Sequence, residues 1–198
     1  MHEESLCSPS DVHTSLSAQK GTEEYSLVLL GDSGVGKTAI VSRILGKDFQ
    51  EHTRPTVEDL WQIDLKIEEQ RCKLKLLDTN GEEAVAKAAI WTENQDGILL
   101  VYSVTSRKSF EVIKTLYAKI TRNGTIRPPL VILVANKDDC EEGRQVSQRD
   151  LLTLAVDLKC PLVETSAKRE DATGGVRHLV KHLRRQRRNR DDLRPASN

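Results

Sequence analysis

Apolar residues in this chain fall into short solid runs separated by stretches with helical spacing. Tyr25–Leu30, Ile98–Val104 and Leu130–Ala135 are runs of strand length, which predicts strands covered on both faces. Between them the period changes. From Lys37 to about Leu45, residues Ala39, Ile40, Ile44 and Leu45 share an inward face, and Gly46 supplies a stop. Ser106 stands where it caps a helix running to about Thr121, and Ser147 caps another over Gln148–Leu158. Pro161–Val163 reads as a short last strand. Val176, Leu179, Val180 and Leu183 then give the spacing of a closing helix.

One segment has period two instead. Trp61, Ile63, Leu65 and Ile67 alternate with Gln62, Asp64 and Lys66. A turn over residues 68–71 follows, and Cys72, Leu74 and Leu76 alternate again up to Leu77. This predicts an antiparallel hairpin at a sheet edge, with Asp78-Thr79-Asn80-Gly81 breaking the strand. Ala84-Val85-Ala86-Lys87-Ala88-Ala89 favours helix. The expected architecture is α/β: a mainly parallel six-stranded sheet with helices on both faces and one antiparallel edge strand. Residues 1–22 are polar and read as a disordered acidic extension, 23–185 as one domain, and 186–198 as a basic tail.

Composition changes this picture in one respect. The 198 residues carry 30 Lys and Arg against 30 Asp and Glu, a formal net charge of zero, but the charge is unevenly spread. Glu3, Glu4, Asp11, Glu23 and Glu24 face only Lys20 at the front. Lys181, Arg184, Arg185, Arg187, Arg188 and Arg190 crowd the rear. A neutral body with a basic end argues against general nucleic-acid binding by the core and for a specialised tail. Three readings of that tail stay open: a solvated helix end, a contact with anionic lipid, or a nuclear or RNA-directed signal. Cys7, Cys72, Cys140 and Cys160 form no C-x-x-C pair, and no His cluster offers a zinc site. A reduced, intracellular compartment is expected, cytoplasmic with a peripheral-membrane or nuclear location as further options. No secretory leader or apolar run of membrane-spanning length is read.

Chemistry enters at Gly31-Asp32-Ser33-Gly34-Val35-Gly36-Lys37-Thr38, directly after the first strand. The stretch fits G-x-x-x-x-G-K-[S/T], the phosphate-binding loop of P-loop NTPase folds. Glycines let the backbone turn sharply and bring its N–H groups against phosphate oxygens. Lys37 supplies a positive charge for the β- and γ-phosphates and Thr38 a hydroxyl for Mg²⁺, while the following helix, through Ala39, points its positive end at the anion.

Later segments choose the base. Asn136-Lys137-Asp138-Asp139 ends a buried strand, Glu164-Thr165-Ser166-Ala167-Lys168 follows the last strand, and Arg54-Pro55-Thr56-Val57-Glu58-Asp59 and Asp78-Thr79-Asn80-Gly81 bracket the hairpin. A carboxylate can accept both the N1–H and the exocyclic amine of guanine, and adenine offers neither in that arrangement. With these motifs in order, residues 25–185 resemble the Ras-like small GTPases. The resemblance implies a switch that binds GTP or GDP with Mg²⁺. Asp139 would select guanine, with the Ala167 N–H at the guanine oxygen and Lys168 over the base beside Ser166. Phe49 would lie against the base, and Asn136 with the Lys37 and Lys137 stems would tie the loops. Thr38, Thr56 and Asp78 would hold Mg²⁺, and the Gly81 N–H would reach the γ-phosphate when GTP is bound. Effectors would meet Arg54–Asp59 and the second switch, with exchange factors and GTPase-activating proteins as further partners.

The chain departs from that family in two places. Glu82 stands where a Gln usually orients the attacking water, Asn80 replaces an Ala, and the segment from Asp78 to Gly97 is about one residue shorter than usual. Of the catalytic set Lys37, Thr56, Gly81 and Glu82, the last is poorly suited to its task. Glu82 and Glu83 together are expected to push the second switch away from the nucleotide, leaving binding intact and hydrolysis slow. The alternative is a hydrolysis-deficient GTP-binding scaffold acting through partners. The chain also ends in Arg194-Pro195-Ala196-Ser197-Asn198 where Ras proteins carry a prenylated box, so the basic cluster would serve weak membrane contact or nuclear import instead.

Overall fold

The structure, a computed structural model, describes residues 22–51, 56–122, 129–169 and 173–192, the last three without their side chains. Its elements run β1 (Glu23–Leu30), α1 (Lys37–Ile44), β2 (Glu58–Ile67), β3 (Gln70–Thr79), α2 (Ala84–Trp91), β4 (Gly97–Ser103), α3 (Arg107–Thr121), β5 (Leu130–Asn136), α4 (Gln148–Leu158), β6 (Leu162–Glu164) and α5 (Gly174–Asp192). The six strands form one sheet in the order β2-β3-β1-β4-β5-β6. β2 pairs antiparallel with β3, and every other pairing is parallel. This is the expected α/β sheet with its antiparallel edge.

The solid apolar runs are solid because they feed two cores. On β1, Leu27 and Leu29 pack with α1 and α5 on one face, while Val28 and Leu30 pack with α2, α3 and α4 on the other. β4 divides the same way, with Leu99 and Val101 against Ile98, Leu100 and Tyr102. Alternation along each strand therefore serves two apolar layers, and no polar face remains to mark the period. The expected caps are present. The Ser106 hydroxyl accepts from the Ser109 N–H at 3.2 Å, and Ser147 forms a reciprocal capping box with Asp150.

The hairpin strands extend beyond their apolar residues. β3 continues through Asp78 and Thr79, which do not break it: Thr79 stands opposite Glu58, and its hydroxyl donates to the Leu29 carbonyl at 2.7 Å. Backbone pairing continues past the last apolar residue, a feature that hydropathy does not mark. The turn is also tighter than residues 68–71. Glu68 and Glu69 alone make it, with φ of 51° and 61°, a left-handed pair usually given to Asn or Gly. α5 continues to Asp192, so the domain border expected at 185 falls inside a helix.

α5 also divides the basic cluster. Arg184, 4% exposed, lies against the sheet. Its guanidinium donates to the Glu23 carboxylate at 2.6 Å, the Ile67 carbonyl at 2.6 Å and the Gln70 carbonyl at 3.2 Å. Burial alone would lower its pKa, and the Glu23 carboxylate outweighs that and holds it above the ordinary value. Arg187 donates to the Glu24 carbonyl and lies 4.1 Å over the Tyr25 ring. Lys181 pairs with Glu68. Arg185 and Arg188 are exposed. The reading of this run as one solvated or ligand-seeking cluster is corrected: half of it clasps β1 and the hairpin turn. Arg190 and the chain ends lie outside the described side chains.

Candidate functional site

Parallel strands deliver their carboxyl ends to one edge of the sheet, and the chemistry-bearing loops follow β1, β3, β5 and β6 there. Between them lies a cleft of about 620 Å³. Its floor is the phosphate-binding loop with Ser33, Gly34, Gly36, Lys37, Thr38 and Ala39. Asn136, Lys137 and Asp139 form one wall, with Ser166, Ala167 and Lys168 beside them. Phe49, Thr56, Gly81 and Glu82 complete the rim.

The loops are bolted together by Asn136, which is buried at the end of β5. Its amide donates to the Val35 carbonyl at 2.7 Å, and its oxygen accepts from the Ala167 N–H at 3.1 Å. The Ala167 N–H, expected at the guanine oxygen, is thus engaged by Asn136 in this structure. Lys137 donates to the Gly34 carbonyl at 2.8 Å. Gly36 is required twice over: its φ is +95°, and a Cβ there would sit 2.4 Å from the Asn136 amide nitrogen.

At the phosphate end, the Lys37 ammonium curls back to the carbonyls of Gly31 and Asp32, each at 2.9 Å. Burial pushes its pKa down to about 8, against the pull of Asp78 and Asp32. A phosphate arriving beside it would oppose that desolvation. The Thr38 and Thr56 hydroxyls meet at 2.6 Å. Behind them Asp78 is fully buried, and neither carboxylate oxygen has a hydrogen-bond partner. Burial raises its pKa, with Thr38, Lys37 and Thr56 pulling the other way. An orphaned carboxylate beside two hydroxyls fits a hard divalent cation such as Mg²⁺, which takes oxygen ligands.

At the other end Asp139 stays ionised. Burial works against it, but the Ser166 hydroxyl, its own backbone, the Cys140 thiol and Lys168 together lower its pKa. Lys168 reaches 3.9 Å from that carboxylate and 5.8 Å from the Phe49 ring centre. An apolar ring and an acceptor pair at one end, with a lysine and hydroxyls at the other, suit a planar base joined to phosphates.

Not every expected residue faces the cleft. Asp32 turns to the Ser33 N–H and to Lys108 at 3.3 Å, and Val35 is buried in the α1–α5 core. Arg54 and Pro55 lie outside the described residues. Glu83 points along α2 to Lys87 at 2.9 Å, so of the two adjacent carboxylates only Glu82 lines the cleft. Sequence reading missed Thr105 and Cys140, which also line it. Position is the signal that finds them: one follows β4 at the same sheet edge, and the other follows Asp139.

The Ras family sequence model matches residues 26–186. The chain is 36% identical over 166 residues to the GTP-binding protein Rit1 of Mus musculus, covering 83% of this chain and 76% of that protein. It is 38% identical over 188 residues to Ras-like protein B of Aspergillus fumigatus, covering 82% and 79% respectively. The fold and its cleft are therefore those of a small GTP-binding switch. The chain belongs to the Ras family.

Proposed function

We propose that this chain binds GTP and GDP with Mg²⁺ in the cleft and hydrolyses GTP slowly, as an intracellular switch in signal transduction. The observation that carries this reading is the Asp139 carboxylate at one end of a cleft whose other end is lined by Lys37, Thr38 and Thr56, with the orphaned Asp78 buried behind the two hydroxyls. Thr38, Thr56 and Asp78 would hold the cation, which supplies charge neutralisation at the β- and γ-phosphates. Lys37 would hold positive charge at the same phosphates, and the Gly81 N–H would donate there. Glu82 replaces the water-orienting amide with an acceptor of like charge to phosphate, and no other side chain of the second switch is assigned to that task. Effectors would read the first-switch strand and α2, and exchange factors and GTPase-activating proteins would act on the same loops.

The second reading, a scaffold that binds GTP without hydrolysing it, is favoured by Glu82 alone. Single-turnover hydrolysis of labelled GTP at saturating Mg²⁺ separates the two. A rate below the order of 10⁻⁴ s⁻¹ of an ordinary Ras protein, with a partial gain in Glu82→Gln, supports slow hydrolysis. GTP intact after many hours in both proteins supports the scaffold. A wild-type rate equal to that of ordinary Ras, with no gain from Gln, overturns the role given to Glu82.

A further inference from the structure

Asn80 has a partner of its own. Its side-chain oxygen accepts from the Glu82 N–H at 2.9 Å, closing a turn around Gly81. That turn is pressed onto the phosphate loop: a Cβ on Gly81 would stand 2.3 Å from the Ser33 nitrogen and 2.5 Å from the Asp32 carbonyl carbon. The Ala84 N–H then bonds the Gly81 carbonyl and starts α2.

The far end of the segment is held as firmly. Ala84 and Ala88 are fully buried in the core shared with α3, and Trp91 is 4% exposed. The Trp91 indole N–H donates to the Glu58 carboxylate on β2 at 3.0 Å. Glu83 pairs with Lys87, whose ammonium lies 5.7 Å from the Trp91 ring centre. From Asn80 to Trp91 the second switch is therefore bracketed by contacts among the chain's own residues, to the phosphate loop at one end and to β2 at the other.

We propose that Asn80 is a positioning residue that pins Gly81 against the phosphate loop, so that the second switch keeps one arrangement in the GDP-bound and GTP-bound chain. The inference rests on the guanine-nucleotide reading above. A ligand shifts a conformational equilibrium only by its differential interaction with the two states. In this chain the turn at Gly81 is closed by the Asn80 acceptor, a bond that Ala cannot make, and a γ-phosphate finds little left to order. A partner that recognises α2 would then bind both nucleotide forms alike.

Hydrogen exchange over residues 80–92 tests this in the full chain loaded with GDP or with guanosine 5′-(β,γ-imido)triphosphate. Wild type should exchange at rates within about twofold in the two states, and Asn80→Ala should exchange about tenfold faster with GDP than with the analogue. Asn80→Ser keeps an acceptor without adding charge and should stay nearer to wild type. A merely structural role would speed exchange equally in both states and would overturn the proposal. So would a tenfold nucleotide-dependent gap in wild type, or a Ser variant indistinguishable from Ala. Chromatography of nucleotide released from the same samples keeps the two readings apart. A chain without bound guanine nucleotide overturns the function proposed above. That result removes the two nucleotide-bound states on which the pin is defined, and the chromatogram tells it from a failure of the pin alone.

Discussion

Asn136 and Arg184 do the same physical work at opposite ends of the sheet. Each is a buried polar side chain whose partners lie in segments remote in sequence. Asn136 joins the phosphate loop to the loop after β6 through Val35 and Ala167. Arg184 joins α5 to β1 and to the hairpin turn through Glu23, Ile67 and Gln70. The first tie holds together walls of the cleft, and the second holds elements that form no part of it. What differs is what the tie serves: ligand geometry in one case, and closure of the fold in the other.

The largest effects should separate the two. Arg184→Ala leaves the Glu23 carboxylate and two carbonyls without their donor, and should lower the free energy of unfolding by about 3–5 kcal/mol. Urea denaturation measures this as a shift in midpoint at constant slope. GDP affinity of the folded protein should not change, because the two sites share no partners. Asn136→Ala should behave conversely, costing about 2–4 kcal/mol in GDP affinity by calorimetry as the loops lose their common anchor. Looser GDP binding in Arg184→Ala under folding conditions would show that the clasp and the cleft are coupled.

The two ties were not equally legible in the sequence. Asn136 stands in a four-residue motif at the end of a solid apolar run, so both its place and its role could be read. Arg184 stands in a run of arginines, where charge predicts solvent, and its partners at Glu23, Ile67 and Gln70 lie more than a hundred residues away. Only the register of α5 against the sheet tells Arg184 from Arg185. The same reason hid the tight Glu68–Glu69 turn and the continuation of β3 through Thr79, since pairing partners decide these and local composition does not. The phosphate loop, the mainly parallel sheet with its antiparallel edge and the base loop were legible because each rests on a local motif or on apolar runs, whereas the order of the strands was not read.

Within the cleft a narrower test sharpens the ligand side of the comparison. Asp139→Asn places a donor where guanine presents its own N–H groups, and should cost about 2–4 kcal/mol in GDP affinity. Because Asn keeps an acceptor for Ser166 and gives up only the long contact to Lys168, unfolding in the absence of nucleotide should stay closer to wild type than in a variant of Asn136. Unchanged GDP affinity by calorimetry would remove the guanine assignment.

The smallest effect on the fold belongs to the outward half of the basic run. Arg185 and Arg188 are exposed and make no ion pair among the described residues. Changing all of Arg184, Arg185, Arg187 and Arg188 together would confuse location with unfolding, since two of the four hold the sheet. Arg185→Gln with Arg188→Gln isolates the surface role. Stability should stay within about 0.5 kcal/mol of wild type, the range of ordinary surface changes. If this face meets anionic lipid, each lost arginine removes about 1 kcal/mol of attraction to phosphatidylserine vesicles, roughly thirtyfold for the pair. That attraction should fade between low and physiological salt and be missing on phosphatidylcholine alone. Equal binding of the double variant and wild type to the anionic vesicles would remove the lipid reading for these two arginines, and would leave the clasp made by Lys181, Arg184 and Arg187 as the one role of the run with contacts to support it.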